Sequence, residues 1–136
     1  VKDIPVDSYS GMIVTYFQSG VISARINFKN GMINGMRTEY YASGAKFRET
    51  QFLLNDYHGS DKIFFANGAI SEQREYDYDE QTNGYKSFYQ NGKVKEESTY
   101  NLGDLEGWSR TYDSTGKLTQ EARYIDGAMV ELKSVK

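Results

Sequence analysis

The stretch YYASGAKFRETQF, Tyr40–Phe52, decides the fold. Two aromatic residues come first. A small-polar-Gly step follows, then a charged run, then another aromatic. The phrase returns as FFANGAISEQREY (Phe64–Tyr76) and as FYQNGKVKEESTY (Phe88–Tyr100). Its glycine belongs to a column, Gly20, Gly44, Gly68, Gly92 and Gly116, with a constant step of 24 residues. A fixed period of this length is the mark of a repeat architecture.

Other columns keep the same period. Tyr16, Tyr40, Phe64, Phe88 and Tyr112 form one. Phe17, Tyr41, Phe65 and Tyr89 form the next, which Asp113 breaks. Phe28, Phe52, Tyr76, Tyr100 and Tyr124 form a third. Gly11, Gly35, Gly59 and Gly107 form a fourth, where Asn83 holds the slot and Gly84 follows. Ile22, Ile70, Val94 and Leu118 form a weaker fifth, with Lys46 as the exception.

Each unit reads as a β-hairpin. A three-residue loop wants a type I turn and then a residue at positive φ, where glycine carries no Cβ penalty. Gln18-Ser19-Gly20 and its four counterparts fit that demand. The loop predicts that Phe17 pairs with Val21, Tyr16 with Ile22 and Val14 with Ala24. Met12, Val14, Tyr16, Ile22, Ala24, Ile26 and Phe28 would then share one face by the strand period of two. A second turn joins the units. Asn30-Gly31 and Asp126-Gly127 are type I′ signals, with looser turns expected at Asn55-Asp56, Asp79-Glu80 and Gly103-Asp104. Across these turns Phe28 would face Ile33, Phe52 would face Tyr57 and Tyr100 would face Leu105. Gly35 and its equivalents are expected as bulges that restore the face register.

The expected fold is therefore all-β: an elongated, twisted antiparallel meander of consecutive hairpins in a single layer. One repeat domain fills residues 1–136. Five repeats run from about 10 to 127, after an N-terminal lead-in (1–9) that contains Pro5 and before a capping strand (128–136) that carries Lys133 and Lys136.

Composition agrees and narrows the function classes. Hydrophobic residues are 38% and mean hydropathy is −0.70, low for a thick core, while 12 Tyr and 7 Phe suit a thin layer of wide rings. The net charge of −3 argues against a nucleic-acid partner. No cysteine is present, which removes disulfides and Cys-based zinc sites. No run approaches the roughly 18 apolar residues of a membrane span. The chain opens on Val1 rather than Met, from which we expect that an upstream signal peptide, lipoprotein leader, further domain or expression tag was removed.

GMRTEYYASGAKFRETQF and GYKSFYQNGKVKEESTY resemble MORN-type repeats, and in particular the bacterial variant G-x-x-x-x-Y-Y-x-x-G-x-x-x-x-E-x-x-Y. The Glu slot of that pattern reads Arg25, Glu49, Gln73, Glu97 and Glu121, and the usual Trp after the first Gly occurs only as Trp108. The resemblance implies a twisted sheet of hairpins that binds or tethers proteins and sometimes lipids. Many bacterial relatives are exported or lipid-anchored, so a periplasmic or cell-surface location is favoured over a cytoplasmic one.

The chemistry-bearing residues are few. His58 is the only histidine and reads as a turn residue. DYDEQTNG (Asp77–Gly84) departs from a calcium loop at Thr82, where glycine is needed, and at Phe88, where glutamate should chelate. Glu72, Glu75, Glu96 and Glu97 alternate with Arg74, Lys93, Lys95 and Arg110 and read as cross-strand charge pairing. No catalytic, cofactor or metal residue is expected, so the chain reads as no enzyme. The candidate binding stripe is Phe17, Tyr41, Phe65 and Tyr89. The expected function is a non-enzymatic repeat scaffold that binds a protein through an aromatic-lined sheet face. The alternative is an exported cell-surface module for a glycan or a lipid.

Overall fold

The computed structural model describes residues 8–135 and forms one open antiparallel sheet. Its strands are β1 (Gly11–Tyr16), β2 (Ile22–Lys29), β3 (Met32–Tyr40), β4 (Lys46–Leu53), β5 (Asp56–Phe64) and β6 (Ile70–Asp77). They continue as β7 (Glu80–Phe88), β8 (Val94–Asn101), β9 (Asp104–Leu105), β10 (Gly107–Tyr112), β11 (Leu118–Ile125) and β12 (Ala128–Ser134). Spatial order follows chain order, and β9 and β10 both pair with β8, on either side of Glu106. The hairpin meander read from the sequence is the observed fold. Pro5 and the rest of residues 1–7, with Lys136, lie outside the described residues.

The glycine column makes the loops it predicts. The Phe17 N–H donates to the Val21 carbonyl at 2.8 Å, and the Gly20 N–H donates to the Phe17 carbonyl at 2.9 Å. Gly20 sits at φ +89°, and the same two bonds recur at Tyr41, Phe65, Tyr89 and Asp113. Asp113 therefore breaks the aromatic column without breaking the loop. Its carboxylate accepts from the Thr115 hydroxyl at 2.5 Å and from the Lys117 N–H at 3.0 Å. These bonds, the Thr115 one foremost, hold its pKa below the usual carboxylate value.

The register beyond the loop corrects the sequence reading. Phe17 and Tyr16 meet Val21 and Ile22 as expected, but Thr15, not Val14, faces Ala24. Ser23 is an extra, unpaired residue, a β-bulge. The bulge recurs at Phe47, Ser71, Lys95 and Thr119, one per repeat. An extra residue inverts the alternation after it. Val14 consequently faces Arg25, and Ile22 and Ile26 lie on opposite faces of the sheet.

The connecting turns also shift by one residue. Positive φ occurs at Leu54-Asn55, Tyr78-Asp79 and Leu102-Gly103, as at Asn30-Gly31 and Asp126-Gly127. All five are two-residue turns with both central residues left-handed, the type I′ pattern. The expected looser turns at Asn55-Asp56, Asp79-Glu80 and Gly103-Asp104 are thus replaced by tighter ones. Leu and Tyr tolerate positive φ poorly, so local propensity pointed away from them. Tertiary bonds compensate. The N–H of Gly31, Asn55, Asp79, Gly103 and Gly127 donates to the carbonyl of Tyr9, Ile33, Tyr57, Gln81 and Leu105 respectively, at 2.7–3.0 Å. In four of the five turns the N–H one residue earlier finds a side chain: Ser10 Oγ for Asn30, Asn34 Oδ1 for Leu54, His58 Nδ1 for Tyr78 and Glu106 Oε2 for Asp126. Each turn is clasped by the unit before it.

Side chains of directly opposed residues share a face. Followed across the register, all buried residues, Thr50, Phe52, Asp61, Ser87, Ser98 and Ala122, fall on one face. That face carries the third aromatic column. Phe28, Phe52 and Tyr100 pair with Ile33, Tyr57 and Leu105 as predicted. The rings of Phe52 and Tyr57 are 5.0 Å apart, and those of Tyr57 and Tyr76 5.1 Å. Gly35, Gly59 and Gly107 oppose Phe52, Tyr76 and Tyr124 at positive φ, and Asn83, at φ +56°, opposes Tyr100. A glycine opposite a ring lets the ring cover bare backbone. Next to this ladder, the side chain of Asp61 is fully buried. It accepts from Arg48 Nε at 2.8 Å, Arg48 Nη2 at 2.9 Å and Thr50 Oγ1 at 2.9 Å. A carboxylate this deep requires such a set of donors.

Candidate interaction surface

The stripe read from the sequence, Phe17, Tyr41, Phe65 and Tyr89, lies at the three-residue-loop margin, and all four residues are half-buried. The second residue of each aromatic pair closes its loop, and two of these residues also reach the next unit. The Tyr41 hydroxyl donates to the Phe64 carbonyl at 2.6 Å, and the Tyr89 hydroxyl donates to the Tyr112 carbonyl at 2.8 Å. The Tyr41 ring packs edge-on against the bulge residue Phe47 at 5.2 Å, and Lys95, in the same bulge column, sits 5.8 Å from the Tyr89 ring. Tyr41 and Tyr89 therefore fasten neighbouring hairpins as well as offering ring surface.

The opposite face is charged. Its central row runs Arg25, Thr38, Glu49, Lys62, Gln73, Lys86, Glu97, Arg110, Glu121 and Lys133, each directly opposite the next. The Glu slot of the repeat supplies every second member. Several members are engaged. Glu49 accepts from Lys46 at 2.6 Å, Glu121 from Arg110 at 2.7 Å, and Glu97 from the Tyr112 hydroxyl at 2.6 Å. That last bond, with burial adding to it, raises the Tyr112 phenol above its ordinary pKa. Gln73 stands where the slot would hold a glutamate. Among the described residues, the side chain of neither neighbour, Lys62 or Lys86, has an ion-pair or hydrogen-bond partner.

The row beside it contains a vacancy. The repeat column Met12, Met36, Ser60, Gly84, Trp108 places side chains on this face, and Gly84 supplies none. Asn83 has taken the left-handed glycine slot, which moves the glycine of this unit one place along. A depression of about 470 Å³ opens there, lined by Gly84, Lys86, Glu97, Thr99, Trp108 and Arg110. A second, of about 220 Å³, adjoins it at Gly84 and is lined by Ser60, Lys62, Gln73 and Glu75. Trp108 forms the aromatic wall. Arg110, Arg123 and Lys133 gather around the indole at 5.6–6.0 Å, a range in which cations are attracted to the ring. Sequence reasoning singled out Trp108 and Gln73 only as departures from a pattern. Their coincidence with Gly84 needed the strand pairing.

His58, read from the sequence as a turn residue, lies inside β5 because the turn closes earlier, at Leu54-Asn55. Its Nδ1 accepts from the Tyr78 N–H and lies 3.3 Å from Asp77, while its ring packs at a tilt against Tyr78, centroids 4.5 Å apart. The Asp77–Gly84 stretch is the end of β6, a tight turn and the start of β7, in which Asp79 caps the Tyr57 N–H at 2.7 Å and Asn83 donates to Glu75 at 2.6 Å. Among the described residues, no group of three or more His, Asp or Glu could hold a metal ion, and no helix is long and apolar enough to cross a membrane.

No curated protein matches the chain. Among solved structures, it is similar to an S. aureus TarM mutant in complex with Fondaparinux, alpha-GlcNAc-glycerol and UDP. Identity is 12% and the TM-score 0.42, over 87% of this chain and 20% of that one. This chain thus spans about a fifth of that protein. The profile of the MORN repeat variant family matches residues 85–102 and 105–126. Those segments hold most of the fourth hairpin and the fifth hairpin, and they are separated at Gly103-Asp104. Residues 85–126 are MORN-variant repeats, and the hairpins before them repeat the same loops, bulges and turns.

Proposed function

We propose that the chain is a non-enzymatic scaffold that binds another protein through the aromatic-lined surfaces of its sheet. The observation that carries this reading is the open depression beside Trp108, on a sheet whose other ring ladder is spent on its own packing. Large rings at the wall of a concave patch are the usual anchors of protein interfaces. His58 Nδ1 accepts from the Tyr78 N–H and its ring packs on Tyr78, so the histidine is engaged in the fold.

The test is cross-linked capture from source cells with the immobilised chain, read by mass spectrometry. It is repeated with Trp108→Ala and with the pair Tyr41→Ala and Tyr89→Ala. A defined protein retained by the native chain and lost with one of these variants supports the scaffold. Retention of glycan or lipid in place of protein favours the cell-surface ligand module.

A further inference from the structure

We propose that the depression at Gly84 receives one aromatic or long apolar side chain of a partner segment, whose adjacent carboxylate is held between Lys62 and Lys86. This rests on the scaffold reading and names the chemistry of the partner.

Gly84 has no backbone reason to be glycine. Its φ is not positive, and a Cβ built on it meets nothing within 4 Å. Glycine inside a strand weakens the strand and often marks a close approach by something else. The equivalent positions carry Met12, Met36, Ser60 and Trp108, so this column normally fills its own space. The vacancy is one side chain wide. Thr99 and Trp108 stand on one side of it and Ser60 and Glu75 on the other.

The polar groups around it set the sign of the partner. Glu97 is satisfied by Tyr112, and Glu75 by Asn83. The unengaged charges are cationic: Lys62 and Lys86, directly opposite Gln73 from its two sides. Two strand spacings separate them, roughly 10 Å, and a carboxylate above Gln73 lies within reach of both long side chains. A glutamate at position 73 would neutralise them from within, as Glu121 does for Arg110. The two depressions cross β5, β6, β7, β8 and β10, so the segment lies across the strands and reads the face rather than extending the sheet.

The experiment is selection from a random peptide library displayed on phage, against the immobilised chain, followed by affinity measurement with the synthetic consensus peptide. The expected consensus places Trp, Phe or Tyr within a few residues of Asp or Glu. Gly84→Met fills the vacancy and should weaken the peptide by about tenfold or more, with an unchanged circular dichroism spectrum and melting temperature. Lys62→Gln with Lys86→Gln should weaken it several-fold and flatten its salt dependence. Selected peptides without an acidic residue, or equal binding to Gly84→Met, overturn the proposal and leave the scaffold reading standing. Enrichment of no peptide at all overturns both.

Discussion

The two margins of the sheet solve the same problem differently. At the three-residue-loop margin, each loop satisfies its own backbone: the residue before the loop bonds the residue after it, and glycine supplies the positive φ. Neighbouring loops are joined there by side chains, such as the Tyr41 and Tyr89 hydroxyls, Asn91 on the Ser114 carbonyl, and Lys93 on the Thr115 carbonyl. At the two-residue-turn margin, each turn satisfies its backbone on the preceding unit. One margin closes hairpins and the other welds them together. Local closure demands one residue type, so the glycine column is invariant along the chain. Welding relaxes the demand, so Asn, Leu, Tyr and Asp all occur at the turns.

Five experiments press on this contrast. The largest effect is expected from deletion. Excising residues 59–82 removes one whole period and keeps every clasp in register, so a shorter chain should unfold in one cooperative transition. Excising 59–81 misaligns every later clasp, and cooperative unfolding should vanish. Equal behaviour of the two deletions in urea denaturation would show that the welds carry no register.

Gly92→Val comes next. It places a β-branched residue at φ +86° in a loop whose closing backbone bonds are its own, and stability should fall by about 2 kcal/mol. Tyr41→Phe removes one hydroxyl-to-carbonyl fastener of the loop margin and should cost about 1 kcal/mol. At the other margin Leu102 is left-handed at φ +46° and exposed. Leu102→Gly should stabilise by about 0.5–1 kcal/mol, strain relief outweighing the entropy of the new glycine. A loss there would mean that the leucine ring of contacts matters more than its backbone.

The smallest effects are opposite responses to acid. Asp113, on the loop margin, has a depressed pKa through the Thr115 hydroxyl and the Lys117 N–H. Its contribution is present above the unfolded carboxylate range and is lost as pH falls through its folded pKa. Asp56, beside the Tyr78-Asp79 turn, is pushed up by burial and by Asp79. It opposes folding when ionised, and stability recovers as pH falls through its folded pKa. Asp113→Asn should therefore lower the melting temperature at neutral pH but not in strong acid. Asp56→Asn should raise it at neutral pH, with the gain disappearing in acid.

The contrast also explains what could be read from the sequence. The 24-residue glycine column, the aromatic ladders and the Phe52–Tyr57 type of pairing follow from residue identity at fixed spacing, and the structure has them. The bulges at Ser23, Phe47 and their equivalents left no residue signature, because Ser, Phe, Lys and Thr all occupy them. Their one-residue shift puts Val14 and Ile26, expected on one face, on opposite faces. The turns at Leu54 and Tyr78 were misplaced because the bonds that stabilise them come from Asn34 and His58, about twenty residues away. Of the candidate surface, Trp108 and Gln73 were visible as exceptions. Gly84 became meaningful only once pairing set it between Thr99 and the Ser60–Glu75 pair.

The clasp from each turn to the unit before it has a consequence for length. Every unit advances the sheet by two strands, about 9.6 Å, and presents to its successor the same acceptors it received. Copy number can therefore change without redesign of any joint. The chain is graduated like a ruler, and the distance between features on two different units is written as a whole number of steps.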